Sequence, residues 1–567
     1  MRPINNDAVV RLAALIAVAA LFSSCSKPPA ADSPLAYVPA DTPYVYANLE
    51  AVPAATVEQL SKPIQDYWPT LFDLYETILK DAKPAIDDTS RKIATALLEE
   101  IKTHNTWDKL RQIGLKPDAR IAFYGVGLVP VLRMELGDAA AFKAEVARVE
   151  GNAGAKLPVA RTGDQEYWAP GNDTLAAAIA IQGNHLVITT FPPNASDALK
   201  QTLLGVKRPA QSIADAGTLQ ALAKQYSYSP YGEGFVDFVR LVEILSKPLA
   251  GSDAEFAQTL GLPAIASDAA CRAEYLEIAH KFPRVVFGAE EMTAQRMRIA
   301  TQLEIDTRIA QQFASAIGAA PGTGAPSQGA IDFSIALPVL KLKDFWIAQA
   351  DAVAAKPYAC EKLHSLNEGF AASKAKVDVT VPPPLSDLTG LRASVSKFEL
   401  AQGSSKVPDV AGKLLLATSN PMGTLAMAQL ALPELQKIKI SPDGKPVALP
   451  ADLLPASAPA LTVAMSDKAI AFATGADDIA SLGAYLADPA ATTPVFLRMH
   501  FSGVVYGWMA RSFEAMKQSM PADKQSQFQL QTQMFGMYEK WLRSSDFTLT
   551  ATPTGIRMQQ TIDLNSP

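Results

Sequence analysis

Five histidines and three cysteines are the residues of widest chemical range in this 567-residue chain. His104, His185, His280, His364 and His500 occupy none of the H-x-x-x-H or H-E-x-x-H spacings that set two imidazoles on one helix face around zinc. Three thiols cannot build a four-cysteine zinc or iron–sulfur site. The chain also lacks a G-x-S-x-G elbow, a G-x-x-x-x-G-K-S/T phosphate loop, and an S-x-x-K followed by K-T-G. Gly125 and Gly127 (YGVGLVP) open like a dinucleotide fingerprint, but the third glycine is missing and Pro130 stands where the helix would begin, so a strand-ending turn is predicted. Glu290-Glu291 read as an exposed loop pair after a strand, and Asp477-Asp478 as helix-capping acids after Gly475. No residue is assigned to catalysis, to a cofactor or to a metal, and the chain reads as a non-enzyme.

Cys25 has a different setting. Arg2 and Arg11 make a positive start, Leu12–Phe22 is an eleven-residue apolar run, and Ser23-Ser24 are small residues directly before the cysteine. That layout predicts a signal peptide over residues 1–24, because eleven residues at about 1.5 Å each span only about half of a hydrocarbon core of roughly 30 Å. The ending L-F-S-S-C resembles the lipobox of bacterial lipoproteins, with Phe22 where leucine usually stands and Leu21 one place further out. The resemblance implies lipid attachment at Cys25 and, since Ser26 is not the aspartate that commonly retains such proteins in the inner membrane, an outer-membrane lipoprotein facing the periplasm; secretion into the periplasm with cleavage nearby is the alternative. Residues 25–33 then form a Pro/Ala-rich lipidated tether.

In an oxidising periplasm the other two thiols, Cys271 and Cys360, are expected to form a disulfide, the alternatives being two separate buried thiols or a metal site with His280 and His364. They bracket Gly318–Gly329 (GAAPGTGAPSQG), a Gly/Pro-rich loop and the expected domain boundary.

The elements that must carry these residues come from composition and repetition. Charged residues are 19% and apolar residues 49%, enough for a large core. Residues 1–24 hold a net +1 of the chain's −6, so the remainder is −7, and no nucleic-acid partner is expected. After Phe22 no apolar run reaches the roughly 18 residues of a membrane span. Five segments recur in order: 110–126 with 388–403, 131–146 with 414–430, 175–204 with 461–486, 235–245 with 496–509, and 282–305 with 546–564. They read as strands, mostly in hairpins, separated by helices. The predicted fold is therefore α+β: two related modules from an internal duplication, each a mostly antiparallel sheet with helices packed on it. The first spans 34–317, with a helical insertion in which Ile93, Leu97 and Ile101 share a face; residues 318–329 are the loop; the second module is 330–567.

YVPADTPYVYANLE (Tyr37–Glu50), the strand around HLVITT (His185–Thr190) and the repeated hairpin-helix layout resemble an uncharacterised family of bacterial envelope proteins. That resemblance implies class and location and contributes no active site. Three functions compete. The favoured one is a non-enzymatic lipoprotein acting as a scaffold or protein-interaction module, held to the membrane by its lipid and contacting an envelope protein. The second is a carrier or sensor of a small apolar ligand, using the methionines concentrated between Met499 and Met558 or the aromatic group Tyr67, Trp68, Phe72 and Tyr75. The third is a hydrolase assembled from scattered residues.

Overall fold

The computed structural model describes residues 32–81, 88–170, 176–191, 195–247, 253–254, 256–257, 269–399, 409–454, 459–517 and 521–565. Cys25, the expected signal peptide and most of the expected tether lie outside them. The chain divides into two compact units, up to Ile299 and from Ala300 onward, so the Gly/Pro-rich loop expected as a boundary belongs to the second unit. The fold is mixed helix and antiparallel sheet. Among the described residues no helix is long and apolar enough to cross a membrane.

The first unit begins with β1 (Tyr44–Ala47), followed by the inserted helices α1 (Ala54–Asp81), α2 (Asp88–Thr103) and α3 (Trp107–Gln112). Next come β2 (Ile121–Val126), β3 (Val129–Glu135), α4 (Ala139–Ala153), β4 (Val159–Thr162), β5 (Gln165–Trp168), β6 (Ala176–Gln182) and β7 (His185–Phe191). The helices α5 (Asp197–Leu204), α6 (Ile213–Ala216) and α7 (Thr218–Tyr226) lead to β8 (Glu233–Asp237), α8 (Phe238–Ser246), α9 (Ala269–Lys281), β9 (Arg284–Met292) and β10 (Arg296–Glu304), whose second half lies in the second unit. Every pairing is antiparallel, giving the order β4-β5-β6-β7-β3-β2-β1-β8-β9.

The second unit continues with α10 (Thr307–Ile317), β11 (Ile331–Ala336), α11 (Val339–Ala355), α12 (His364–Val377), β12 (Leu388–Glu399), β13 (Asp409–Thr418) and α13 (Pro421–Ala431). After these come β14 (Val447–Ala448), β15 (Thr462–Met465), β16 (Ala469–Thr474), α14 (Ala476–Ala480), α15 (Leu482–Ala487) and β17 (Val495–Ser502). The helix pair α16 (Gly503–Lys517) and α17 (Ala522–Trp541) precedes the closing hairpin β18 (Leu542–Thr552) and β19 (Gly555–Leu564). Its order is β14-β15-β16-β13-β12-β11-β17-β18-β19. Replacing β11, β12, β13, β15, β16, β17 and β18 by β1, β2, β3, β6, β7, β8 and β9 reproduces the first unit's order strand for strand.

Several local expectations shift. Gly114-Leu115, matched in sequence to Gly390-Leu391, lies in the loop before β2, whereas Gly390-Leu391 sits inside β12. Glu290 and Glu291 are within β9, not in a loop, and Glu291 pairs with Arg298 across the hairpin at 3.0 Å. In α2 the buried residues are Ile93, Ala96 and Leu98, while Leu97 is 46% exposed, so the core-facing stripe is rotated from the expected one. Gly127 takes φ +58° in the β2–β3 turn, as YGVGLVP predicted.

Candidate functional site

Antiparallel register explains how the second unit gathers charge inside its sheet. Residues directly opposite one another across strands point to one face. Asp332 on β11 faces Ser394 on β12, which faces Lys413 on β13; Ser334 faces both Arg392 and Arg498. One buried face therefore carries Asp332, Arg392, Lys413 and Arg498. Arg392 grips Asp332 with two parallel bonds, Nε to Oδ1 at 3.2 Å and Nη2 to Oδ2 at 2.8 Å, and reaches Asp488 with Nη1 at 2.6 Å. Its guanidinium lies 4.2 Å from the ring centre of Tyr485. Burial opposes the Arg392 charge, yet the two carboxylates more than compensate and raise its pKa. Burial also raises the Tyr485 phenol, with Arg392 pulling the other way.

Arg498 donates to the carbonyls of Gly322, Thr323 and Ala325 at 3.2, 3.4 and 2.7 Å. These contacts fasten the Gly/Pro-rich segment over the sheet. Lys413 pairs with Asp478 at 3.2 Å and donates to Gln328 and Ser481. Asp478 is thus a buried ion-pair partner rather than a cap, since the Gly475 N-cap of α14 has no side-chain bond. Three cations meet three carboxylates, so the cluster is neutral and its polar groups are engaged in holding structure. The sequence signal is a basic residue set among apolar neighbours in a strand: LR in β12 and β17, KLLL in β13, and LR again in β3.

In the first unit the corresponding interior cation is Arg133, fully buried on β3 with no carboxylate in contact among the described residues. It donates to Leu204 O at 2.9 Å and Gln182 Oε1 at 3.1 Å, lies 3.2 Å from His185 Nδ1, and covers the Tyr37 ring at 3.7 Å. Gly205 holds φ +78°, and a Cβ there would come within 1.9 Å of the guanidinium, so only glycine fits. Burial, and next the Arg133 charge, push the His185 pKa down to about 4, which keeps the imidazole neutral. Glu233, fully buried on β8, takes the Gly232 N–H at 2.9 Å on Oε2 and leaves Oε1 unpartnered; burial raises its pKa to about 8.

The remaining histidines do not converge. His104, just past the end of α2, lies with Glu100 and Glu145 in a cluster whose ligand atoms fall within 4.8 Å of one another. Arg148 already supplies the cation there, pairing with Glu100 at 2.9 Å and with Glu145, and standing 3.3 Å from His104 Nε2. His500 Nδ1 meets Asp546 at 2.8 Å across β17 and β18, a base–carboxylate pair whose Nε2 contacts no hydroxyl or thiol among the described residues. His364 faces its own chain at Ala359 O, and His280 is exposed at the end of α9. Cys271 and Cys360, both buried, are the expected disulfide.

Two apolar features face outward in the second unit. A groove of about 450 Å³ between α11 and α12 is lined by Ala350, Val353, Ala354, Phe370 and Ala371, with Lys374 on its rim. The helix α13 exposes Met422, Met427 and Leu430. The chain matches no family model, no curated protein and no solved structure.

Proposed function

We propose that this chain is a non-enzymatic, lipid-anchored protein of the bacterial cell envelope, facing the periplasm and acting as a scaffold or protein-interaction module. The resemblance of residues 12–25 to a lipoprotein signal supports the anchor. The order shared by seven strands of the two units supports an origin by internal duplication, with each sheet serving as a rigid platform. Most of the buried charges in the clusters described above meet opposite charges, backbone carbonyls or aromatic rings, which favours structural roles over chemistry.

The groove between α11 and α12 carries the interaction reading. Its apolar floor and its Lys374 and Asp378 rim have the character of a site that seats an apolar segment of another protein. A photo-crosslinking residue at Val353, introduced in living cells, should capture a discrete envelope protein. Ala371→Trp, which fills the groove, should abolish that capture without lowering the melting temperature. Capture unchanged by the tryptophan would contradict the assignment.

A further inference from the structure

A terminal guanidinium nitrogen carries two protons and so can satisfy two acceptors. Arg148 Nη2 faces three. It stands 2.5 Å from Glu145 Oε2, 2.9 Å from Glu100 Oε2 and 3.3 Å from His104 Nε2. Two carboxylates and an imidazole thus converge on one point, where a single guanidinium leaves negative charge in excess. The three donors are set deep and the arginine is not: the side chains of Glu100, His104 and Glu145 are 13%, 11% and 11% exposed, and that of Arg148 is 47% exposed.

The fold orients these donors as metal ligands are oriented. Ile93 and Ala96 of α2 pack with Val149 of α4, so the helices meet through apolar contacts and hold the side chains beside that seam without help from charge. His104 stands four residues after Glu100 and its N–H still reaches the Glu100 carbonyl at 2.9 Å, which keeps the two side chains on one face. His104 Nδ1 also lies 2.9 Å from that carbonyl, which can only accept, so Nδ1 carries the proton and Nε2 turns its lone pair to the centre. Asn152 Nδ2 donates to Glu100 Oε1 at 2.7 Å and fixes that carboxylate. We propose that Glu100, His104 and Glu145 bind a zinc(II) ion at the point held by Arg148 Nη2, with the arginine turning out into solvent and water completing the shell. Bonds of about 2.0–2.2 Å require the donors to close on that point by roughly 0.4–1.3 Å, which side-chain rotation supplies. One imidazole with two carboxylates suits zinc, whereas calcium and magnesium favour all-oxygen shells. The ion ties α2 to α4, a structural role that needs neither the groove between α11 and α12 nor the lipid at Cys25.

Calorimetric titration of zinc chloride into the whole chain, freed of metal by dialysis against chelator, tests the site. The parent should take up one ion per chain, and its melting temperature should rise when zinc is present. His104→Ala and Glu145→Gln should each weaken that uptake at least about a hundredfold, and Asn152→Ala about tenfold, as loss of a residue that orients a ligand does. Arg148→Ala should tighten it about tenfold, because the competing cation is gone; an arginine that only ties the helices together predicts no such gain. Melting curves of the metal-free variants check that each is folded, and Glu145→Gln, which keeps the side chain's size, carries the test if His104→Ala unfolds. Zinc bound equally by the parent, His104→Ala and Glu145→Gln would be adventitious and would overturn the proposal. So would an Arg148→Ala chain that takes up no zinc.

Discussion

Two buried titratable groups in the first unit should make stability depend on pH in opposite directions. Glu233 holds its proton to about pH 8 when folded and to about 4.5 when unfolded, so between those values the folded state binds more protons and stability falls as pH rises. The full effect is of the order of 5 kcal/mol. His185 is the reverse case: its folded pKa of about 4 lies below the unfolded 6.5, so stability is lost as pH falls through that window. Urea midpoints for Glu233→Gln should lose the decline between pH 5 and 8 and keep the acid-side loss. A slope identical to the parent's would show that Glu233 is ionised in the fold. Among the ion pairs, Asp332→Ala should cost about 3–5 kcal/mol, because it strands Arg392 and Arg498 in a buried face. Denaturant unfolding reads that loss directly, and a cost below about 1 kcal/mol would mean that water reaches the cluster.

At the scale of elements, α2 gives the plainest test of which face is core. Ile93 is buried and Leu97 is 46% exposed, so Ile93→Ala should destabilise by roughly 2–4 kcal/mol, whereas Leu97→Lys should stay within about 0.5 kcal/mol. Thermal melts that reversed that order would restore the stripe predicted from sequence. Hairpins such as β6–β7 and β18–β19 were legible because alternation and turn residues are local signals. The pairing of Gly114-Leu115 with Gly390-Leu391 was not, because a two-residue match does not reveal which side of a strand boundary it lies on. The Asp332–Arg392–Arg498 cluster was equally hidden: its members come from three strands, and only register brings them to one face. Arg148 shows the converse, since the two carboxylates that α2 and α4 bring beside His104 are already bridged by a cation one turn along from Glu145.

For the whole molecule, the disulfide is the constraint with the largest expected energy. Cys271 and Cys360 close a loop of 88 intervening residues, for which chain entropy gives about 4–5 kcal/mol. Cys271→Ser with Cys360→Ser should therefore lower the melting temperature measurably, and reductant should shift the parent but not the double variant. A parent indifferent to reductant would mean that the native fold needs no such closure. The account as a whole depends on the envelope address, because the oxidising compartment and the interaction role both follow from it. Mass spectrometry of the amino-terminal peptide purified from cell membranes tests that address most directly. The account predicts a peptide beginning at Cys25 and carrying a diacylglyceryl group with an acylated amine. An unmodified amino terminus, or a chain that retains residues 12–22, would contradict it.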